Sequence, residues 1–265
     1  MAGDTIIVHA GTYAPATFAQ GSNHITLRAD GLVTLVGNGL GDTDGEYTAG
    51  VTANWVGDVV IEGFDIRDFD FGIAVNDSSG VTVTGNTLSG NDSSGVQVVR
   101  SSLVEVVLNR FLDPVAGSAV QDYGVNFYQS DHAKANNNYF SGSHNQALSF
   151  KRIDTDSEAI GNTFEGCLYV CIYVGQNDDD TYGDQTSVRI TVENNRAKAF
   201  TDPATGVFYR CSQPYAIRNA NSSVINNNIV APSCLQQTVA VVESPNLYGV
   251  EAGNNTIVEP VVQDW

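Results

Sequence analysis

Asparagine returns to one place in a repeated unit along most of this chain. The unit is a short alternating apolar stretch, then Gly or Asn, then Asn or a substitute, a polar residue and an apolar one. Its copies read VVIEGFDI, VTVTGNTL, VEVVLNRF, AKANNNYF, SEAIGNTF, ITVENNRA, SVINNNIV and GVEAGNNTI. Phe64 holds the asparagine place in the first copy. Asn86, Asn109, Asn138, Asn162, Asn195, Asn228 and Asn255 follow, at steps of 22, 23, 29, 24, 33, 33 and 27 residues. A period near 23 with insertions in some turns marks a solenoid. Asparagines kept in one register predict a ladder of side-chain amides, each donating to one neighbour and accepting from the other. Asparagine also tolerates a left-handed bend at such a turn.

A second strand follows each asparagine turn: GIAVND, GVQVVR, GVNFYQ, ALSFKR, CIYVGQ, GVFYRC and TVAVVE. Each alternates with period two, so one face is buried and the other exposed. The alternation turns Ile73 and Val75, Val96 and Val98, Val125 and Phe127, Leu148 and Phe150, Ile172 and Val174, Val207 and Tyr209, and Val239 and Val241 inward. The chain lacks a convincing amphipathic helix. Short strands at coil spacing without crossover helices predict an all-β parallel β-helix of about 8–10 coils. It runs as a single domain over residues 1–265. A Greek-key sandwich would not bring one asparagine back to one register.

Charge narrows the partners. With 12 Lys and Arg against 30 Asp and Glu, the net charge is −18. Nucleic acid, whose phosphates need basic residues, is disfavoured, and so is an anionic membrane. No apolar run approaches the ~20 residues of a membrane-spanning helix. The chain opens on Met1-Ala2-Gly3 and a strand, without a secretory apolar segment. That fits either a cytosolic chain or a trimmed one, and we favour trimming of a secreted or periplasmic protein, expected to be monomeric. Four cysteines leave two readings open. They form two disulfides, Cys167–Cys171 and Cys211–Cys234, as in secreted proteins, or they are four buried thiols. Their spacing is not a zinc pattern.

The opening GDTIIVHAGTY resembles the first coil of right-handed parallel β-helix proteins of the pectate-lyase-like superfamily, and the GNT-type turns resemble their asparagine ladders. The resemblance implies the fold across most of the chain. It implies activity less narrowly, since members include extracellular polysaccharide lyases, hydrolases, epimerases and phage tailspikes. Tyr123-Gly124 resembles the start of an alginate C5-epimerase motif, but VNFYQ follows where that family has Asp-Pro-His.

The outward residues of the second strands make a surface. One column reads Asn76, Val99, Tyr128, Lys151, Gly175, Arg210, Val242, and the next reads Ala74, Gln97, Asn126, Ser149, Tyr173, Phe208, Ala240. Polarity gathers in the middle, as a groove requires. Lys151 and Arg210 are expected two coils apart, roughly 10 Å between backbones. Three residues past the column come Asp131, Asp154 and Asp178, expected to stack. Like charges stack only with a counter-charge. Oxygen-rich clusters suit Ca²⁺, so these aspartates are candidate calcium ligands, with Lys151 and Arg152 as the alternative neutralisers.

The parts fit an acidic polysaccharide bearing a carboxylate at C5 of each sugar. A lyase removes the C5 proton while Ca²⁺ or Arg stabilises the enolate-like charge. Lys151 is the candidate base, with Arg210 on the substrate carboxylate and Tyr128 or Tyr173 protonating the leaving oxygen. The lysine makes sense as a base mainly when a cation sits beside it, because bare carboxylates favour its charged form. Asn126, Arg152, Gln176, His132 and His144 are candidate substrate contacts, the two histidines also rival bases. The pectate-lyase-like resemblance implies the same residue types: aspartates on calcium with a Lys or Arg base. A glycoside hydrolase or epimerase on the same scaffold, or a non-catalytic glycan-binding module, are the other expectations.

Overall fold

The computed structural model describes residues 3–38, 47–112, 122–142, 144–152, 155–175 and 187–201. In the C-terminal part it describes 206, 208–209, 211–217, 220–221, 223–230, 234, 241–242, 251–253 and 255–257. Among these residues there is no α-helix. The chain winds as a parallel β-helix. Each regular coil supplies two three-residue strands, one on either side of the asparagine turn, and one longer strand. The long strands stack into a nine-stranded parallel sheet, running from Ala16–Phe18 to Val241–Val242. The short ones stack in two parallel files, joined into an eighteen-stranded sheet by the long strands Asp4–Tyr13 and Asn23–Val36.

The amide ladder forms as expected. Asn109 Oδ1 accepts from the Asn86 backbone N–H at 2.9 Å and from Asn86 Nδ2 at 3.1 Å. The same pair of bonds recurs from Asn109 onto Asn138, and onward to Asn255. Each Nδ2 also donates to a strand carbonyl, as Asn162 does to Ala135 at 2.7 Å. The left-handed residue is the one before the rung: Gly85, Leu108, Asn137, Gly161, Asn194 and Asn227 have φ between 53° and 70°. The rung asparagine is chosen for its amide, and its predecessor makes the bend.

The core follows from the alternation. Ile73, Val75, Val96, Val98, Val125, Phe127, Leu148, Phe150, Ile172 and Val174 are all fully buried. Rings stack in register, Phe111 on Phe140 at 4.7 Å and Phe140 on Phe164 at 4.8 Å between centroids. At the start of the long strands a row of Gly50, Gly72 and Gly124 lies against this core. A Cβ at Gly72 would meet the Gly95 carbonyl oxygen at 2.6 Å, and one at Gly124 would meet Phe140 at 2.6 Å.

Both disulfides are present, Cys167–Cys171 and Cys211–Cys234, so the thiol alternative falls. Cys167 and Cys211 pair in register, which places the two bonds on neighbouring coils.

Two expected registers are corrected. GVFYRC is not the strand that stacks on Cys167–Gly175. Phe208–Tyr209 instead pairs antiparallel with Phe200–Thr201, and Cys211–Ile217 takes the place in the sheet. Tyr215, not Tyr209, is the ring that falls beside Ile172, and it is fully buried. The inserted hairpin uses up the alternating residues that resembled a sheet strand. In the last coil Ala216 pairs with Val241 and Ile217 with Val242. Val242 therefore continues the file of Val174, and Val241 that of Tyr173, one residue away from the expected register.

Candidate functional site

The outward face of the nine-stranded sheet carries the polar residues the sequence placed there. Register confirms the column Asn76, Val99, Tyr128, Lys151, Gly175 and its neighbour Ala74, Gln97, Asn126, Ser149, Tyr173. Beyond Tyr173 the neighbour column continues to Ala216, not to Phe208.

Side chains on the middle coils are tied together. Ser94 Oγ donates to Gln97 Oε1 at 3.0 Å, Asn126 Nδ2 donates to the same oxygen at 3.1 Å, and Ser149 Oγ donates to Asn126 Oδ1 at 2.6 Å. These bonds fix the amides in one orientation, which pre-organises a polar floor. Lys151 does not stand off the sheet into solvent. Its side chain runs back along the face, and Nζ donates to the Tyr123 hydroxyl at 2.9 Å. The ammonium lies 4.3 Å from the Tyr123 ring centroid and 5.6 Å from that of Tyr173. Lys151 is only 7% exposed, so the two rings and a hydroxyl replace most of its water.

Next to this dyad stands Asp122. It keeps solvent on one side, yet burial pushes its carboxyl above the ordinary range and the charge of Asp92 adds to that. The Lys151 ammonium and a hydrogen bond with Asn145 pull the other way. Burial likewise pushes the Tyr123 phenol up, and Asp122 pushes it further. Gln146, paired in register with Tyr123, holds its Oε1 buried with no hydrogen-bond partner among the described residues. Asp122 and Gln146 escaped the sequence reading, and Tyr123 entered it only through a family motif, because they lie at the strand starts, whereas the conspicuous lysine marks a strand end. The repeated glycine one residue past the start of the strand was the available signal.

The other expected site residues scatter. Tyr128 and Arg152 close one end of the face, the guanidinium 5.0 Å from the ring centroid. His132 and Asp131 sit on the following turn, exposed and bonded to each other at 2.9 Å. Asp131 pairs with Thr155, so the expected in-register stack of Asp131 on Asp154 is not the one the backbone makes. His144 is not a surface residue. It is fully buried, edge-on to Phe140, and belongs to the core. Arg210, Gln176, Asp154 and Asp178 lie outside the described residues.

Chemically, the face holds a lysine amine and a phenol in contact, a carboxyl raised by burial, and a row of fixed amides and hydroxyls of which Asn126 and Ser149 are buried. Fold and face together define a right-handed parallel β-helix protein with a row of polar residues on its long-strand sheet. The chain belongs to the family described as periplasmic copper-binding protein (NosD), whose model matches residues 1–183. No curated protein sequence matches it. Among solved structures it resembles PfbA, a surface adhesin of Streptococcus pneumoniae, at 14% identity and a TM-score of 0.71, over 97% of this chain and 72% of that one. It also resembles an alginate lyase from Paenibacillus sp. str. FPU-7 at 13% identity and a TM-score of 0.66, over 97% and 92% of the two chains. A tailspike of E. coli bacteriophage HK620, in complex with a pentasaccharide, is 20% identical with a TM-score of 0.60, over 97% and 51%. At these identities the likeness is one of fold.

Proposed function

We propose that this polar face forms a groove that binds an acidic polysaccharide and cleaves it by β-elimination, with Lys151 and Tyr123 as the proton-transfer pair. The observation that carries this is the buried Lys151 amine held 2.9 Å from the Tyr123 hydroxyl over a fixed polar floor. Lys151, as the free amine, takes the C5 proton. The C–H electrons form the C4–C5 double bond, and the C4–O bond breaks. Tyr123 gives its proton to the leaving oxygen. Its raised pKa suits a donor that must hold its proton until then. The new ammonium then returns a proton to the phenolate across the existing hydrogen bond, which resets the pair. Tyr123 thus takes the role that residue type alone suggested for Tyr128 or Tyr173.

The enolate-like charge needs a donor or a cation. Asp122, beside the pair and with its carboxyl raised by burial and then by the charge of Asp92, is one candidate to meet it. Calcium beside Asp131 is the other source this reading admits. The fold shared with an alginate lyase over nearly its whole length supports the reading, and the disulfides support a site outside the cytosol.

The family description names copper. The donors here do not suit it. Copper favours thiolate, thioether and imidazole ligands, and all four cysteines are in disulfides. His9, His24 and His132 pair with separate aspartates, and His144 is in the core. Among the described residues no three His, Cys, Asp or Glu gather. No step is routed through copper.

A second reading, hydrolysis, is favoured by one observation: two carboxyls, Asp92 and Asp122, stand close enough that the charge of Asp92 adds to burial in raising Asp122. Incubation with alginate, pectate and other uronans separates the two. β-Elimination raises ultraviolet absorbance from the unsaturated uronate, and Lys151→Ala abolishes that rise while circular dichroism stays unchanged. New reducing ends without the absorbance mean hydrolysis. Neither signal, with binding retained, means a binding module. Loss of activity with EDTA assigns the charge to calcium, and indifference to EDTA with loss in Asp122→Ala assigns it to Asp122.

A further inference from the structure

The file of short strands that follows the asparagine turns bears a second polar patch, away from the groove. Register sets Arg110, Tyr139, Thr163 and Arg196 in one column and Ser141, Glu165 and Lys198 in the next. A pocket of about 60 Å³ opens here, lined by Thr163, Phe164, Glu165, Arg196 and Lys198. The small Thr163, between Tyr139 and Arg196, leaves the recess. A single water needs only about 10–15 Å³ of such space, so there is room for a group the size of a carboxylate.

The charge around the pocket runs against that of the molecule. In a chain of net charge −18, its lining holds Arg196 and Lys198 against the single carboxylate of Glu165. Glu165 is itself engaged twice, by the Tyr139 hydroxyl at 2.5 Å and by Lys198 Nζ at 3.1 Å. Arg110 lies 4.7 Å from the Tyr139 ring centroid and adds a further positive charge beside it. A guanidinium, an ammonium and a threonine in the lining of a recess of this size are of the residue types that recognise a planar carboxylate. The surrounding face is a flat stack of short strands with hydroxyls at Thr163 and Ser141, which suits an extended polar polymer over a compact apolar ligand.

We propose that this pocket is a second glycan-binding site, which takes the carboxylate of an acidic sugar and holds the polymer on a face separate from the groove. It does not require the groove to be catalytic, and its test reads binding alone.

Isothermal titration with a uronic-acid trisaccharide is the experiment, with Lys151→Ala protein used throughout so that nothing is cleaved. Two sites are expected per chain. Arg196→Gln/Lys198→Gln removes one of them, weakening it at least tenfold, and leaves the other. Thr163→Glu, which places a carboxylate in the recess and keeps both cations, removes the same site. This second variant guards against a loss caused by misfolding of the first. The carboxyl-reduced trisaccharide does not bind there. A titration from which Arg196→Gln/Lys198→Gln removes no site overturns the proposal, as does equal binding of the neutral sugar; a single site that this variant removes supports the pocket and counts only against the groove. Binding of inorganic sulfate but not of the trisaccharide at Arg196 and Lys198 makes the pocket a free-anion site and also overturns it.

Discussion

At the scale of single residues, Tyr139 shows how a solenoid face tunes a side chain without a deep cleft. Burial between coils, and then the hydrogen bond to Glu165, push its phenol up to about 12. An unperturbed tyrosine titrates near ~10. Glu165→Gln is expected to move the Tyr139 transition part of the way back, leaving the share due to burial, in a spectrophotometric titration of the phenolate. If the transition stays put, the carboxylate is not holding that proton. Lys151 was legible from sequence because a lone lysine at the end of an alternating strand has one face to occupy. Its partners were not. The path of a long side chain along a sheet is set by what lies beside it, and Tyr123 stands several residues upstream on the neighbouring strand. His144 failed for a related reason: no pattern at Ser143-His144-Asn145 announces that the chain dips towards Phe140 there.

At the scale of elements, the asparagine turn is the most demanding piece. Asn162, fully buried, accepts from the Asn138 backbone at 2.9 Å and donates to the Ala135 carbonyl and to Asn195 Oδ1. Asn162→Ala strips partners from buried groups on both neighbouring coils, and is expected to cost ~1–3 kcal/mol or more in chemical denaturation. A variant as stable as the parent would mean that the ladder only accompanies the stack. This element was readable because one chemical requirement recurs at one register. The coil after Gly175 was not. A 33-residue step, Asn162 to Asn195 and again Asn195 to Asn228, holds more alternating sequence than one coil uses. Alternation cannot tell the hairpin strand Phe208–Tyr209 from the sheet strand Cys211–Ile217. The pairing of Cys211 with Cys167 decides it.

At the scale of the whole molecule, stability is a sum over neighbouring coils, and the disulfides reinforce one stretch of it. Cys211–Cys234 closes a loop across 23 residues. By chain entropy that is worth roughly 3 kcal/mol. Cys234→Ser is expected to lower the melting temperature under oxidising conditions, and reductant is expected to bring the parent towards the variant. If the two melt together without reductant, the bond does not brace the stack. The ladder has a wider consequence. Asn162 meets Asn138 across 24 residues and Asn195 across 33 through the same bonds. Each rung is blind to the length of chain between it and the next. Descent can therefore lengthen, shorten or exchange the chain between rungs while the staircase stays unaltered, so ligand preference can drift quickly on an architecture that hardly changes.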